Sequence, residues 1–563
     1  MSKPENRVLT RDNQTSDNFY ESDQILQERL RQSLPAEVRD YLEKKLRKLG
    51  KQAAAQMDDW SLSADDHPPE LKKRDRLGNN VDEVVFHPAY QKLMKTAVES
   101  ELFYLKYHPD MAGRFRGARH RMGFALGQLY AMSELGQYCP HCMTDGAAYI
   151  IEQFCTPGMQ QRLLPRLGAR DPAQNVTGAM FLTEKSGGSD VGANLTEAEK
   201  IEGAGYHLNG EKWFCSNVNA EVIMALARTG PVAKGTRGLS LFLVEQVLED
   251  GTCNPMEIIR LKDKMGVRSM ATGEVRFDGT QGTRIGEEGE GFKIMAQMIN
   301  ISRTYNSVAA LAGLRRAIIE AWQYLNHRIT FGKRAATHPM IRDKFRELGA
   351  EYLATFMLVW RALDAMDAAE NGNQRERDLF RILTPMVKWI SAEQSVYGVR
   401  ECMELMGGNG YIEDFVMPKI FRDVNVLPIW EGSGNIIVLD ILRASQKSNG
   451  LQYLFEFIEE AAGRSQHYDS LLGTKLDKIK RVWGDLQSSD DREALESAAK
   501  PLFRELIRCL QLALLAGEQG DANTTRSQLA LRYLAEVEER DLGTVQPMPP
   551  DELEILIGWH YRE

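Results

Sequence analysis

The feature of this sequence best suited to acid–base chemistry is a single carboxylate set between an aromatic residue and two glycines. Glu431 follows Trp430 in the run Ile-Trp-Glu-Gly-Ser-Gly-Asn-Ile, residues 429–436. A tryptophan ring that excludes water from a carboxylate raises its pKa towards neutrality. A carboxylate with such a pKa can act as a general base near pH 7. The residues that follow could approach and hydrogen-bond a flat ligand: Gly432, Ser433, Gly434 and Asn435.

The same stretch also fits a second interpretation, the start of a helix. Asn435 would be the N-cap, and the apolar run from Ile436 to Leu442 would form the first turns. Taken alone, the octapeptide leaves both interpretations open.

A second candidate for ligand binding is a strand that leads into a polar loop. It reads Met180-Phe181-Leu182-Thr183-Glu184-Lys185-Ser186-Gly187-Gly188-Ser189-Asp190. Backbone N–H groups in such a loop, with the hydroxyls of Thr183 and Ser189, can bind a polar heterocycle or a phosphate. The loop is neither a P-loop nor a dinucleotide-binding fingerprint, and a tight surface turn is the alternative.

Three shorter motifs carry groups that suit a cofactor. The run Lys212 to Ser216 places aromatic residues beside a hydroxyl, which could stack on a ring and hydrogen-bond it; a buried strand is the alternative. In Arg328 to Gly332, a guanidinium suited to a diphosphate lies near an aromatic residue, unless it is a surface arginine. The run Gly407 to Gly410 is either a helix C-cap or a site of close approach.

Two other motifs are interpreted without a role in chemistry. Cys139-Pro140-His141-Cys142 could be redox-active or half of a zinc site, but a structural zinc needs four ligands. The sequence has no second C-x-x-C and no close histidine pair, so we expect this segment to pack inside the protein without a chemical role. Gly286 to Gly291 is rich in glycine, but its three acidic residues would repel phosphate, so we expect a linker.

Composition excludes several classes of function. The net charge of −9 offers no overall attraction to nucleic acid or to anionic membranes. No apolar run is long enough to span a bilayer, and the segment from Met1 to Arg7 lacks the apolar core of a secretory signal. Seven scattered cysteines favour a reducing compartment over a disulfide framework. We therefore expect a cytoplasmic protein.

The elements that must position these motifs fall into four predicted domains. Residues 1–175 read as mainly helical, and 176–283 as a β domain whose apolar runs include Val222 to Ala227, with an Asn209-Gly210 hairpin turn. Residues 284–445 suit a helical bundle with a long helix over about 377–405. Residues 446–563 form a helical extension, and 444–563 carry 14 Lys and Arg against 21 Asp and Glu. The predicted fold class is α+β.

Taken together and in this order, the motifs resemble those of the acyl-CoA dehydrogenases. The resemblance spans roughly residues 85–445. Within the family the chain looks most like the subgroup of the alkylation-response protein AidB. The shared features are His87-Pro88-Ala89-Tyr90, Met180 through Val191, Leu261-Lys262-Asp263-Lys264, Ile429 through Asn435, and the helical extension.

This resemblance implies a helical N-terminal domain, a central β domain and a helical bundle, with FAD held between them. It implies that Glu431 removes an α-proton from an acyl-CoA thioester while the β-hydrogen leaves as hydride to flavin N5, giving a trans-2-enoyl-CoA. An electron-transfer flavoprotein would accept the electrons, and the assembly would be a homotetramer. No metal is implied.

The resemblance also assigns individual residues. Those implied to bind FAD are Met180, Leu182, Thr183, Gly188, Ser189, Phe214, Ser216, Arg328, Phe331, Gly407, Gly408, Ser433 and Asn435. Among them, Arg328 and Phe331 would reach the FAD of a neighbouring subunit. Those implied to bind the acyl-CoA are Ser189, Arg303 and Trp430.

Several positions depart from the commonest family pattern. Phe214 stands where tryptophan is usual, and Trp430 where tyrosine is usual. Glu404 replaces a glutamine that usually contacts FAD, and Asn300 replaces a carboxylate found near CoA in some members. These changes are compatible with FAD binding.

Two alternatives to a working dehydrogenase follow from the same resemblance. One is a flavoprotein of the alkylation response that associates with nucleic acid. DNA binding calls for a basic face, whereas the extension that would supply it is acidic. The other is an acyl-CoA-binding regulator with little turnover. We expect acyl-CoA as the small-molecule partner, with no nucleic acid and no membrane.

Overall fold

The computed structural model of the chain describes residues 16–201, 205–464, 468–489, 491–517, 521–538 and 548–560. The segment from Met1 to Arg7, for which the sequence predicts no secretory signal, lies outside these residues. No helix in the described ranges is long and apolar enough to cross a membrane. The chain forms two compact units. We call residues 56–130 and 134–305 the barrel unit, and residues 1–55, 131–133 and 306–563 the bundle unit.

The first third of the chain is mainly helical, as predicted. Its helices and strands, in chain order, are α1 (Phe19–Ser22), α2 (Gln24–Ser33), α3 (Ala36–Ala53), α4 (Gln56–Asp66), β1 (Glu70–Arg74), β2 (Asn80–Val85), α5 (Pro88–Glu99), α6 (Tyr104–Tyr107), α7 (Arg119–Ala131), α8 (Tyr138–Phe154) and α9 (Pro157–Leu167). The sequence did not predict the hairpin β1–β2. Its strands are rich in lysine and glutamate, and its turn is closed by Asp75 and by Gly78 at φ 86°.

The strands that follow form one sheet that closes on itself. They are β3 (Gly178–Phe181), β4 (Glu197–Lys200), β5 (Gly205–Ser216), β6 (Val222–Arg228), β7 (Leu239–Glu245), β8 (Met256–Leu261) and β9 (Thr272–Ile285). The pairing runs β6–β7–β9–β5–β4 and returns to β6, with β3 beside β6 and β8 beside β9. Apolar side chains such as Phe181, Phe242 and Phe277 fill the interior. The predicted β domain is therefore a barrel.

The predicted hairpin at Asn209-Gly210 is wrong, because both residues lie inside β5. The ladder between β5 and β9 shifts register between Leu208 and Asn209, and the Asn209 side chain accepts a hydrogen bond from the N–H of Gly279 at 2.8 Å. Gly210 has φ 144°, and a Cβ there would lie 2.7 Å from Thr196 Oγ1. Glycine is therefore needed for a bulge and for close approach to the next strand, not for a turn.

The described residues after β9 are mainly helical, apart from the short hairpin β10 (Ile329–Thr330) and β11 (Lys333–Arg334). Their helices are α10 (Gly291–His327), α11 (Pro339–Glu370), α12 (Gln374–Leu405), α13 (Met417–Val424), α14 (Gly434–Lys447), α15 (Gly450–Arg464), α16 (Asp469–Ser488), α17 (Arg492–Ala516), α18 (Asp521–Glu538) and α19 (Pro550–Ile557). Residues 286–290, predicted as a linker, join β9 to α10. The predicted bundle, its long second helix and the helical extension are all present.

The C-x-x-C motif is packed inside α8, as predicted. Cys139 and Cys142 are buried and form no disulfide. The Cys142 thiol lies 3.1 Å from the Ser302 hydroxyl on α10. Burial lowers the pKa of His141 to about 3, so that this imidazole is neutral at physiological pH. The motif is thus part of a helix interface within the barrel unit.

Candidate functional site

In the barrel unit, the loop after β3 is organised by a buried carboxylate. Glu184 accepts hydrogen bonds from the backbone N–H groups of Leu195 at 2.6 Å and Thr196 at 3.1 Å. It also accepts one from the buried ammonium of Lys212 at 2.7 Å. Arg228 supports the far end of the loop by donating to the carbonyl oxygens of Asn194 and Gly192. The loop that carries the predicted ligand-binding residues is therefore fixed at both ends.

The Glu184 carboxylate is stable as an anion despite its burial. Burial by itself would raise its pKa, but the charge of Lys212 and the hydrogen bonds from Leu195 and Lys212 hold the pKa below the ordinary value of 4.5. A carboxyl group whose pKa is lower in the folded state stabilises the fold above its unfolded pKa. That stabilisation is lost as the pH falls through the folded pKa.

We therefore expect Glu184→Gln to lower the free energy of unfolding most at neutral pH. The difference from wild type should begin to shrink below about pH 4.5, where the unfolded wild-type chain takes up a proton, and should be lost once the pH has fallen through the lower pKa of the folded state. Chemical denaturation across a pH series measures this difference. Glu199→Gln, at an exposed position on β4, should change the unfolding free energy little at any pH. A Glu184→Gln effect that does not change with pH would contradict the assignment.

The residues predicted to bind a heterocycle lie on this loop. Met180 belongs to β3, and the carbonyl oxygen of Leu182 accepts a hydrogen bond from Asn194 at 2.8 Å. Gly188 lies against Thr183, because a Cβ at Gly188 would be 2.8 Å from Thr183 Oγ1. Gly188 and Ser189 are exposed, and Thr183 is half-buried. The absence of a side chain at 188 leaves room around the threonine hydroxyl.

The aromatic motif of β5 lies close to the loop. Trp213 donates its backbone N–H to the carbonyl oxygen of Thr183 at 2.9 Å. Phe214 is 58% exposed, which is unusual for a phenylalanine on a barrel strand. Ser216 is half-buried, with its hydroxyl 3.4 Å from that of Thr272. These side chains offer an aromatic face and hydroxyl groups on one part of the barrel.

Arg303, predicted to contact acyl-CoA, also belongs to the barrel unit. It lies on α10 and is mostly buried. One guanidinium nitrogen is 3.5 Å from the side-chain oxygen of Asn300, one turn earlier. Asn300, which replaces a carboxylate, therefore orients this arginine without neutralising its charge.

In the bundle unit, the turn that contains Glu431 has an unusual backbone. Glu431 has φ 58° and Gly432 has φ 106°, both left-handed conformations. For a residue other than glycine this conformation costs about 1–3 kcal/mol, and such strain concentrates at functional sites. The buried ammonium of Lys388 on α12 donates to the carbonyl oxygen of Gly432 at 2.6 Å. The turn is therefore held in place by a lysine that the sequence did not single out.

The aromatic residue before Glu431 is half-buried. Its indole nitrogen, Trp430 Nε1, is buried and has no hydrogen-bond acceptor among the described residues. A buried N–H without a partner is costly. This position is therefore suited to contact a ligand.

The interpretation of the octapeptide as a helix start is confirmed in part, since the turn is followed directly by α14, and its interpretation as the site of a general base stays a prediction. The N-cap of α14, however, is Ser433 and not Asn435, which lies in the first turn. The Ser433 side chain makes no capping hydrogen bond, and both side chains are exposed. The first N–H groups of a helix favour anions such as phosphates.

The arginine and glycine motifs meet at the end of α12. The Arg328 guanidinium donates to the carbonyl oxygen of Met406 and to the Tyr324 hydroxyl, both at 3.4 Å. Gly407 has φ 65°, and a Cβ there would lie 3.4 Å from Arg328 Nη1. Gly408 is exposed, and nothing lies within 4 Å of a Cβ built on it. Arg328 and the two glycines therefore present one open surface.

Phe331 occupies the turn between β10 and β11. It has φ 49° and is 98% exposed. Its ring contacts only the imidazole of His338 among the described aromatic pairs, with centroids 5.8 Å apart. A fully exposed phenylalanine in a strained turn is poorly explained by the packing of this chain.

The structure thus gathers the predicted residues into local groups. In the barrel unit these are the loop around Thr183 with Phe214 and Ser216, and in the bundle unit the Glu431 turn and the Arg328–Gly407 surface. Sequence reasoning missed the roles of Glu184 and Lys388. Glu184 and Lys212 each belong to a motif described under the sequence analysis. Because they pair across 28 positions, no short stretch of sequence indicates that they are partners.

Comparisons with known proteins match nearly the whole chain. The family models that match are "Adaptive response protein AidB N-terminal domain" over residues 11–171, "Acyl-CoA dehydrogenase, middle domain" over 179–280 and "Acyl-CoA dehydrogenase, C-terminal domain" over 289–446. Residues 447–563 extend beyond these domains, and their described part includes the extra helices α15 to α19.

Curated and solved relatives cover the chain at similar length. Acyl-CoA dehydrogenase family member 11 of Caenorhabditis elegans is 31% identical over 93% of this chain and 88% of its own. Putative acyl-CoA dehydrogenase AidB of Escherichia coli K12 is 33% identical over 72% and 74%. The crystal structure of Caenorhabditis elegans ACDH-11 in complex with C11-CoA superposes with a TM-score of 0.85, at 29% identity, over 96% and 95%. The chain therefore belongs to the acyl-CoA dehydrogenase family, within its AidB-like subgroup, and is an oxidoreductase of that family.

Proposed function

We propose that the chain is an FAD-dependent dehydrogenase that converts an acyl-CoA to the trans-2-enoyl-CoA, with Glu431 as the base. The observation that carries this proposal is the strained, anchored turn at Glu431. Its left-handed backbone is held by Lys388 through Gly432, and Trp430 beside it has a buried N–H in need of a partner. A carboxylate fixed in this way meets the positional demand of a general base.

The residues present fit a flat cofactor with a polar edge and a diphosphate. Phe214 offers an exposed aromatic face, and Thr183, Ser189 and Ser216 offer hydroxyls. Gly188 and Gly408 leave space where a side chain would intrude. We propose that Phe214, Thr183, Ser189, Ser216 and Gly188, with Met180 and Leu182, hold the isoalloxazine part of FAD. For the diphosphate and adenine part we propose Arg328, Phe331, Gly407, Gly408, Ser433 and Asn435.

In this mechanism Glu431 accepts the α-proton of the thioester. The backbone N–H of Glu431 donates to the thioester carbonyl oxygen and stabilises the charge that develops there. Trp430 and Arg303 bind and orient the acyl-CoA, and Ser189 contacts it from the loop. Bound FAD supplies an acceptor, at N5, for the hydride that leaves the β-carbon. The α-proton and the β-hydride together account for the two hydrogens lost.

Two partners follow from the proposal. The electrons taken from the acyl-CoA would need a further acceptor, and an electron-transfer flavoprotein is the proposed one. We also propose a homotetramer, in which the exposed Phe331 and the neighbouring Arg328 reach the FAD of another subunit. The 98% exposure of Phe331 supports this assignment.

Turnover of a defined acyl-CoA tests the proposal. Flavin-loaded protein is incubated with saturated straight-chain acyl-CoAs of graded length, including C11-CoA, the ligand of the Caenorhabditis elegans relative. An artificial electron acceptor replaces the flavoprotein. The expected product is lighter than its substrate by two hydrogens and has a trans α,β double bond. Flavin-loaded protein that leaves every chain length unchanged would refute the proposed reaction.

A further inference from the structure

The aromatic pair that β5 presents lies where the strand ladder is interrupted. Pairing between β5 and β9 shifts register between Lys212 and Cys215, so Trp213 and Phe214 form a bulge. A bulge redirects side chains and removes the ladder contacts that would fix them. Phe214 is 58% exposed, so few packing contacts can hold its ring. Another group must therefore fix the direction of this pair.

Two ammonium groups lie over the Trp213 ring, Lys185 at 5.4 Å from its centroid and, much nearer, Lys262, which directly follows β8. The Lys262 nitrogen lies 3.4 Å from the ring centroid of Trp213 and 5.0 Å from that of Phe214. The Lys262 side chain is only 11% exposed, and the backbone N–H of Lys262 donates to the carbonyl oxygen of Thr272 at 2.8 Å. A cation over a tryptophan face is attracted by the ring quadrupole, most strongly where water is excluded.

The charge of Lys262 is itself fixed by the buried carboxylate of Glu274, at 2.5 Å. Glu274 has a second cationic partner, because Arg260 Nε donates to the same oxygen at 2.8 Å. Arg260 can therefore neutralise the Glu274 carboxylate, and Lys262 is not required for that purpose. The placement of this lysine against two aromatic rings indicates a second role.

We propose that Lys262 is a positioning residue that fixes the indole of Trp213 and, through it, the ring of Phe214 for contact with the flavin. The inference depends on the proposed FAD site. Trp213 also donates its backbone N–H to Thr183 at 2.9 Å. Fixing the indole thus fixes the strand position that borders the Thr183 loop, so that Phe214 and the Thr183 hydroxyl keep their relative positions.

Substitution of Lys262 tests this role with FAD affinity as the readout. Lys262→Met keeps the length of the side chain and removes its charge. We expect its dissociation constant for FAD to rise roughly tenfold, since one desolvated cation–π contact is lost. The circular dichroism of the bound flavin should also change, because the ring that packs on it is no longer fixed. Lys262→Arg, which can stack on an indole and pair with Glu274, should restore both values to near wild type.

Two further variants separate positioning from folding. Lys262→Met combined with Glu274→Gln removes the lysine without leaving its carboxylate partner charged, and should bind FAD as weakly as Lys262→Met alone. Lys72→Met breaks an exposed ion pair with Glu83 on the β1–β2 hairpin and should leave FAD binding unchanged.

The outcomes distinguish this inference from the proposed function. If wild-type protein binds FAD and Lys262→Met binds it equally, with the same flavin spectrum, the positioning role is refuted and the FAD site stands. If Lys262→Arg is as weak as Lys262→Met, stacking and charge are not the reason, and the role is refuted as well. If wild-type protein itself does not bind FAD, the proposed function fails first.

Discussion

Replacing Glu431 by glutamine is expected to leave FAD bound and to abolish exchange of the acyl-CoA α-proton with solvent. Glutamine keeps the shape of the side chain and the backbone N–H of the turn, but its amide cannot accept a proton at neutral pH. Loss of a general base costs roughly 10²–10⁴ in rate, so exchange should fall by about that factor. Proton NMR of an acyl-CoA in deuterated buffer measures this exchange directly.

A carboxylate elsewhere in the same unit provides the matched control. Glu413 is exposed and pairs with Arg422, so Glu413→Gln should exchange the α-proton at the wild-type rate. A yellow colour of the Glu431→Gln protein in the same sample would show that cofactor binding survives. A yellow Glu431→Gln protein with unchanged exchange would remove Glu431 from the mechanism.

The second large effect is expected on stability, when Arg315 is replaced by methionine. In the bundle unit the buried guanidinium of Arg315 pairs with the buried carboxylate of Asp23, at 2.9 and 3.2 Å. It also donates to the carbonyl oxygens of Ile557 at 2.7 Å and Gly558 at 2.9 Å. One side chain on α10 thus joins the N-terminal helices to the end of the helical extension.

Removing one partner of a buried ion pair leaves the other buried and uncompensated. Arg315→Met should therefore lower the free energy of unfolding by about 3–5 kcal/mol. Equilibrium denaturation followed by circular dichroism measures the change. Arg47→Met removes an exposed arginine that pairs with Glu21 and Glu43, and should cost at most about 1 kcal/mol. Equal losses for the two variants would show that the buried pair has no special role.

The order of helical and strand regions could be predicted because it depends on local periodicity. Apolar spacing along α11 and the uninterrupted apolar run of β6 each signal one kind of element. The predictions of secondary structure fail where tertiary contacts determine the local conformation. Gly210 suggests a turn in any local window, yet it serves close packing against Thr196. The β1–β2 hairpin carries mainly charged residues, which give no clear alternation.

The same distinction between local sequence signals and long-range contacts applies to the candidate site. Glu431, Arg328 and the glycines at 407 and 408 could be selected from residue type and motif order. The groups that hold them could not, because they act across long separations. Lys388 reaches Gly432 from α12, and Lys262 reaches the ring of Trp213 from the position just after β8. A lysine in a helix or after a strand gives no sign in the sequence of which group it will contact.

The most direct test of the central claim is a single anaerobic turnover. Flavin-loaded wild-type protein is mixed with a saturated acyl-CoA in the absence of oxygen and of any acceptor, and the flavin absorbance is followed. The claim predicts bleaching of the oxidised flavin for at least one chain length, with one enoyl-CoA formed per flavin reduced. Bound flavin that stays oxidised with every acyl-CoA, while the ligand demonstrably binds, would contradict it.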